Sequence, residues 1–113
     1  MLDRLPEIMI PGQHNTAERS FELISKLIGR VERKTPPTHF VAVTFAMNPG
    51  KPLILQSVEF INPDMLIFSG KYLDLSPAYI VQHTNQLSLA VSMIAIPDNC
   101  GVERRTIGFV SNQ

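Results

Sequence analysis

The sequence predicts an α+β fold, in which one N-terminal helix is followed by a strongly bent antiparallel sheet, or a small barrel, of five to six strands. Two observations support this prediction. One stretch near the start has helical periodicity, and from His39 onward the chain reads as short strands separated by turns. Because no second long helix intervenes, short turns connect neighbouring strands, which favours antiparallel pairing.

The predicted helix begins after Asn15, a favourable N-cap residue, with Glu18 three residues further on. Basic residues occupy its last turn, where positive charge suits the helix dipole, and Thr35-Pro36-Pro37 ends it. Apolar residues recur every three or four positions and define one face. They are Ala17, Phe21, Ile24, Ile28 and Val31, with Leu27 widening the face.

Six segments have the composition and alternation of strands, and they are separated by turn residues such as Asn48-Pro49-Gly50. The predicted strands span residues 39–47, 53–61, 65–72, 78–84, 87–96 and 104–110. The length of 113 residues fits one domain, residues 15–113. Residues 1–14 precede it as an N-terminal arm, in which Pro6, Pro11 and Gly12 prevent a long helix.

Several strands are apolar on both faces, including Leu53-Ile54-Leu55 and Tyr79-Ile80-Val81. Such strands require cover on both sides of the sheet. A single helix covers one face, so the sheet curls into a small barrel, packs against another copy of the chain, or does both. We therefore expect a homo-oligomer.

Composition excludes several classes of function. Ten basic residues balance ten acidic ones, which disfavours binding of long RNA or DNA. One cysteine, Cys100, permits no intrachain disulfide, and no apolar run approaches the roughly 18 residues of a membrane helix, so we expect a cytoplasmic protein that contacts no membrane. His14, His39 and His83 lack metal-ligand spacing, and no nucleophile or phosphate-loop motif occurs. We expect no metal, no cofactor and no catalytic residue.

The most polar uncharged cluster lies between the fourth and fifth predicted strands. Its side chains, Gln82, His83, Asn85 and Gln86, offer hydrogen bonds that suit the edge of a base. The alternative interpretation is that they satisfy the backbone of a tight bend.

Three further residues complete the candidate ligand site. Arg104 and Arg105 have forked donors for a phosphate, and Tyr79 could stack on a base. The alternative for the arginines is that they protect an exposed strand edge from aggregation.

A helix followed by five closely spaced strands resembles the Sm-like family, which includes the bacterial Hfq proteins. Residues 58–68 resemble the second and third strands of that fold, and Tyr79-Ile80-Val81-Gln82-His83 followed by residues 87–91 resembles its fourth and fifth. The resemblance implies a ring of subunits that binds RNA, with Gln82 and His83 near the pore.

Over most of its length the chain also resembles a family of small bacterial and phage proteins of unknown function. The matching segments are Gly12-Gln13-His14-Asn15, Asn62-Pro63 before Leu66-Ile67-Phe68-Ser69-Gly70, Ile80-Val81-Gln82-His83 with Gln86-Leu87-Ser88, and Arg105-Thr106-Ile107-Gly108-Phe109. This resemblance implies a common fold and marks these residues, but it names no activity.

Together these observations predict a non-catalytic, homo-oligomeric binding protein that sequesters a small phosphorylated ligand, such as a nucleotide or a cyclic nucleotide signal, at subunit interfaces. Two alternatives stay open. One is an Hfq-like RNA-binding ring, and the other is a ligand-free protein that interacts with or inhibits another protein.

Overall fold

Helix α1 (Thr16–Lys34) precedes the strands in the computed structural model, which describes residues 16–98 and 100–111. The strands are β1 (His39–Phe45), β2 (Leu53–Ile61), β3 (Met65–Lys71), β4 (Pro77–His83), β5 (Leu89–Ala95) and β6 (Gly108–Ser111). A 3₁₀ turn, Thr84–Gln86, joins β4 to β5. The predicted arm and the Asn15 cap lie outside the described residues.

The apolar face predicted for the helix is confirmed. Ala17, Phe21 and Ile28 are buried, and Ile24 and Val31 pack against the same core. The prediction that Leu27 widens this face is wrong, because Leu27 is on the exposed side of the helix. The helix ends at Lys34, directly before Thr35-Pro36-Pro37, as predicted.

The sheet has the strand order β4-β3-β2-β1-β5, and all of these neighbours pair antiparallel. It curls into a half-barrel, so the predicted fold class is confirmed. The last strand differs from the prediction: β6 begins at Gly108 rather than Arg104, and it pairs with β2 in the parallel direction. Residues 101–107 form no regular element, because their side chains and backbone bond to the helix instead.

The two faces of the sheet follow from the pairing register. Ile80, Phe68, Val58 and Phe109 are cross-strand partners on the inner face, which holds the core. Phe21 of the helix contacts Phe60 at a ring-centroid distance of 4.9 Å, so the helix covers this inner face.

Strand β2 changes neighbours along its length. It pairs with β1 only through Leu53 and Ile54, and then with β6 from Ser57 onward. Between these points β1 and β2 separate, and residues 101–107 run beside the gap. All three residues of Leu53-Ile54-Leu55 are therefore buried within one chain, so this stretch does not need a second copy to cover it.

A bulge in β2 makes Gly70 necessary. The pairing shifts register between Leu55 and Ser57, and this brings the β2 backbone close to Gly70 on β3. A Cβ atom on Gly70 would overlap the carbonyl oxygen of Ile54 and lie 2.9 Å from its carbonyl carbon. The neighbouring atoms are backbone, so they cannot move aside as a flexible side chain would.

We predict that Gly70→Ala lowers the free energy of unfolding by about 3 kcal/mol, the upper end of the usual cost of overpacking. Gly50→Ala is the matched control, because a Cβ there meets no atom within 4 Å; it should be neutral or stabilise by up to about 1 kcal/mol. Urea denaturation of both variants measures the difference. Equal stabilities would contradict the assigned bulge.

Candidate functional site

The polar bend, residues Gln82–Gln86, is built around His83. Its Nε2 lies 2.7 Å from Oδ2 of Asp64, and its Nδ1 accepts a hydrogen bond of 3.2 Å from the backbone N–H of Asn85. Because Nδ1 accepts, Nε2 carries the proton and donates to Asp64. The imidazole therefore has a fixed orientation, and both ring nitrogens are engaged.

The bend is also tied to the start of the helix. The hydroxyls of Thr84 and Thr16 are 2.9 Å apart, and Thr16 donates to the carbonyl of Pro63 at 3.1 Å. The backbone N–H of Thr84 donates to the carbonyl of Asp64, and that of Ala17 donates to Pro63. These bonds support the alternative that part of the cluster satisfies a bend.

Gln82 differs from the other residues of the bend, because its buried side chain is not fully hydrogen-bonded. Its side chain is 5% exposed, and its Nε2 reaches only the Sδ atom of Met47, at 3.3 Å, which is a weak acceptor. Its Oε1 has no hydrogen-bond partner among the described residues. A buried amide oxygen without a partner costs about 1–3 kcal/mol, so this end of the half-barrel has an unmet hydrogen-bonding requirement.

The side chain of Arg104 has a structural role. Its Nη1 donates to the carbonyls of Thr35 at 2.7 Å and Pro36 at 2.8 Å, and its Nη2 donates to that of Glu32 at 2.9 Å. The guanidinium therefore binds carbonyls at and just beyond the end of the helix, and those of Glu32 and Pro36 also accept the backbone N–H groups of Thr35 and His39. The carboxylate of Glu32 in turn accepts the backbone N–H of Ile107 at 2.9 Å, which holds residues 104–107 on the helix.

The predicted site residues thus form two groups within one chain. The polar bend contacts Thr16 at the start of α1, whereas Arg104 contacts Glu32 near its end. Because a helix rises about 1.5 Å per residue, the two groups are about 24 Å apart. A single subunit does not bring them to one small ligand.

Arg105 borders a different feature, which we term the interstrand cleft. It lies where β1 and β2 separate, under residues 101–107, and has a volume of about 780 Å³. Its apolar lining consists of the buried Phe40, Val41, Ile54 and Leu55 of the strands, together with Leu75, Val102 and Ile107. Its polar lining includes Glu32, Gln56, Lys71, Glu103, Arg104, Arg105 and Thr106.

The loop after β3 forms one rim of the cleft through Leu75. Leu75 has a φ of 71°, a left-handed conformation that is strained for a residue with a bulky side chain. Beside it, Asp74 accepts hydrogen bonds from the hydroxyl and the N–H of Ser76, at 2.5 and 2.9 Å. These bonds, the hydroxyl first, lower the pKa of Asp74 from its ordinary value.

The other predicted residues are at the surface. Tyr79 is 75% exposed on β4, and Asn85 and Gln86 are exposed in the 3₁₀ turn. Among residues 16–98 and 100–111, no group of three or more His, Cys, Asp or Glu side chains could hold a metal ion. No helix in this part of the chain has the length and hydrophobicity needed to cross a bilayer.

Several residues of these sites escaped the sequence-based prediction, among them the charged Asp64, Glu32 and Lys71. Glu32 carried a signal, because an acidic residue near the end of a helix opposes the helix dipole and implies a partner. The sequence carries no such signal for Asp64 or Lys71. Only the sheet register brings Asp64 to His83 and Lys71 to the cleft.

Comparison with known proteins adds no assignment: no family model, curated protein or solved structure matches this chain.

We predict that Arg104→Ala lowers the free energy of unfolding by about 1.5–3 kcal/mol, because hydrogen bonds from a charged group to the helix end are lost. Arg105→Ala should change it by less than about 0.5 kcal/mol, since Arg105 is exposed. Thermal and urea unfolding of both variants test the contrast. Equal effects of the two substitutions would show that Arg104 does not cap the helix.

Proposed function

We propose that this protein is a homo-oligomeric, non-catalytic binding protein for a small phosphorylated ligand, of the nucleotide or cyclic nucleotide class. The observation that carries the homo-oligomer is an apolar patch on the outer face of the sheet, at the edge strand β4. We define this outer patch by its exposed residues Ile61, Tyr79, Val81 and Val110 together with the half-buried Ile67.

The register brings part of the outer patch together. Val81 pairs with Ile67, Ile67 with Glu59, and Glu59 with Val110, so these side chains lie in one row across the sheet, in which the acidic Glu59 separates Ile67 from Val110. Single exposed apolar residues are ordinary, but a contiguous group on one face is typical of a protein interface. Val81 is 54% exposed and Tyr79 is 75% exposed.

The open edges of the sheet support the same conclusion. Strands β4 and β5 end the strand order, and within the described residues neither is paired on its outer side. An unpaired edge is a template for a further strand. If β4 of one copy pairs with β5 of the next, the contact is head-to-tail, and such contacts close into rings when the rotation allows. This arrangement agrees with the Sm-like resemblance.

A compact anionic ligand fits the charge distribution better than a polymer does. The chain has no net charge, and the cations Lys71 and Arg105 line the same cleft. Like the other lysines and arginines among the described residues, they make no ion pair with a described residue. Two cations at one cleft suit one phosphate group, whereas a long polyanion requires an extended basic surface.

Val81→Lys should convert the oligomer to monomer at micromolar concentration, because a charge replaces an apolar side chain in the interface. Leu23→Lys is the matched control: Leu23 is 70% exposed but lies on the helix, so its substitution should leave the mass unchanged. Size-exclusion chromatography with light scattering measures the mass. A monomeric wild-type protein would refute the oligomer.

Nucleotides should raise the melting temperature of the wild-type oligomer, because a ligand at 100 times its dissociation constant adds about 2.7 kcal/mol to folding stability. A thermal-shift panel of nucleotides, cyclic di- and trinucleotides and short RNA tests this. A response to RNA alone, steeply dependent on salt, would favour the RNA-binding ring. No response at all would favour a protein partner at the outer patch.

A further inference from the structure

We propose that the interstrand cleft is the ligand site, and that it takes a nucleoside monophosphate-like compound, with a flat apolar ring against the exposed Leu75 and a phosphate between Lys71 and Arg105. The inference rests on the proposed ligand-binding function and deepens it, but it does not depend on the oligomer. The phosphate would then lie in the cleft and not at the polar bend.

The size and lining of the cleft support a small organic ligand. Its volume of about 780 Å³ lies in the range of roughly 300–1,000 Å³ that is usual for small-molecule sites. Its apolar lining comes partly from the sheet, where β1 and β2 separate, and partly from Leu75, Val102 and Ile107 outside the strands. The side chains of Gln56 and Thr106 add neutral hydrogen-bonding groups at its margin.

The charges of the cleft favour an anion. Arg104 and Glu32 are engaged with each other's backbone segments, so neither is available to a ligand. The remaining charged groups in the lining are Lys71, Arg105 and Glu103, and within the described residues none of these forms an ion pair. Two cations against one carboxylate leave a net positive charge.

The polar bend is a poorer place for the phosphate. Its only ring nitrogens are already bonded to Asp64 and to the backbone of Asn85. The Asp64 carboxylate is also about one third exposed, so it would repel an anion that approaches His83.

The rim of the cleft contains the backbone strain noted at Leu75. A left-handed conformation at such a residue costs about 1–2 kcal/mol, and strained residues concentrate at ligand-binding sites. Leu75 is 38% exposed and lines the cleft, so its strained backbone places an apolar side chain at the entrance, where a ring could contact it.

The experiment is a titration of the ¹⁵N-labelled full chain, followed by NMR, with the four nucleoside 5′-monophosphates, the corresponding nucleosides and inorganic phosphate. The cleft site predicts that monophosphates shift the amide signals of Gln56, Lys71, Leu75 and Thr106, and that nucleosides and phosphate alone bind at least about tenfold more weakly. The double variant Lys71→Ala/Arg105→Ala should weaken monophosphate binding by about tenfold or more.

The matched control is Arg19→Ala/Lys26→Ala, which removes the same charge from exposed positions on the helix. It should bind monophosphates as the wild type does. Binding that shifts residues 82–86, is lost in His83→Ala, or survives Lys71→Ala/Arg105→Ala would overturn the cleft site while leaving the proposed ligand class intact. Nucleosides that bind as tightly as monophosphates, or no binding by any probe, would overturn the phosphate-binding function as well; the mass of the oligomer is a separate readout.

Discussion

The structure depends on how residues 101–107 are held against the end of the helix. Strands β1 and β2 share only two residue pairs before they separate, so the half-barrel has a gap in its wall. Arg104 and Glu32 fix the segment beside that gap through four hydrogen bonds to and from the backbone. The same contacts complete the helix end, place β6 beside β2, and define the cleft.

The fold divides its polar groups between two tasks. At the start of the helix, His83, Asp64 and Thr84 bond to one another's segments and to Thr16, so they rigidify a corner. At the other end, Arg105 and Lys71 remain without ion-pair partners among the described residues. Groups that are already bonded support structure, whereas unpaired cations beside an apolar lining are available for binding.

Local patterns were sufficient to predict the helix and the succession of strands, because periodicity and turn residues act over short distances. The parallel pairing of β6 was not predictable, since it depends on contacts between residues far apart in sequence. The site residues were equally unpredictable where their roles depend on contacts between residues far apart in sequence. Arg104 and Arg105 are adjacent and chemically identical, yet Arg104 bonds to the helix and Arg105 does not.

The segment beside the gap has a kinetic consequence. The Glu32–Ile107 hydrogen bond joins residues 75 positions apart, and β6 reaches β2 from similarly distant sequence. Contacts of such long range carry a large loop-closure entropy and form slowly. Until they form, Phe40 and Ile54 lack the cover that buries them in the native chain. A chain in which these contacts have not yet formed exposes both side chains, and exposed apolar surface of this kind favours aggregation.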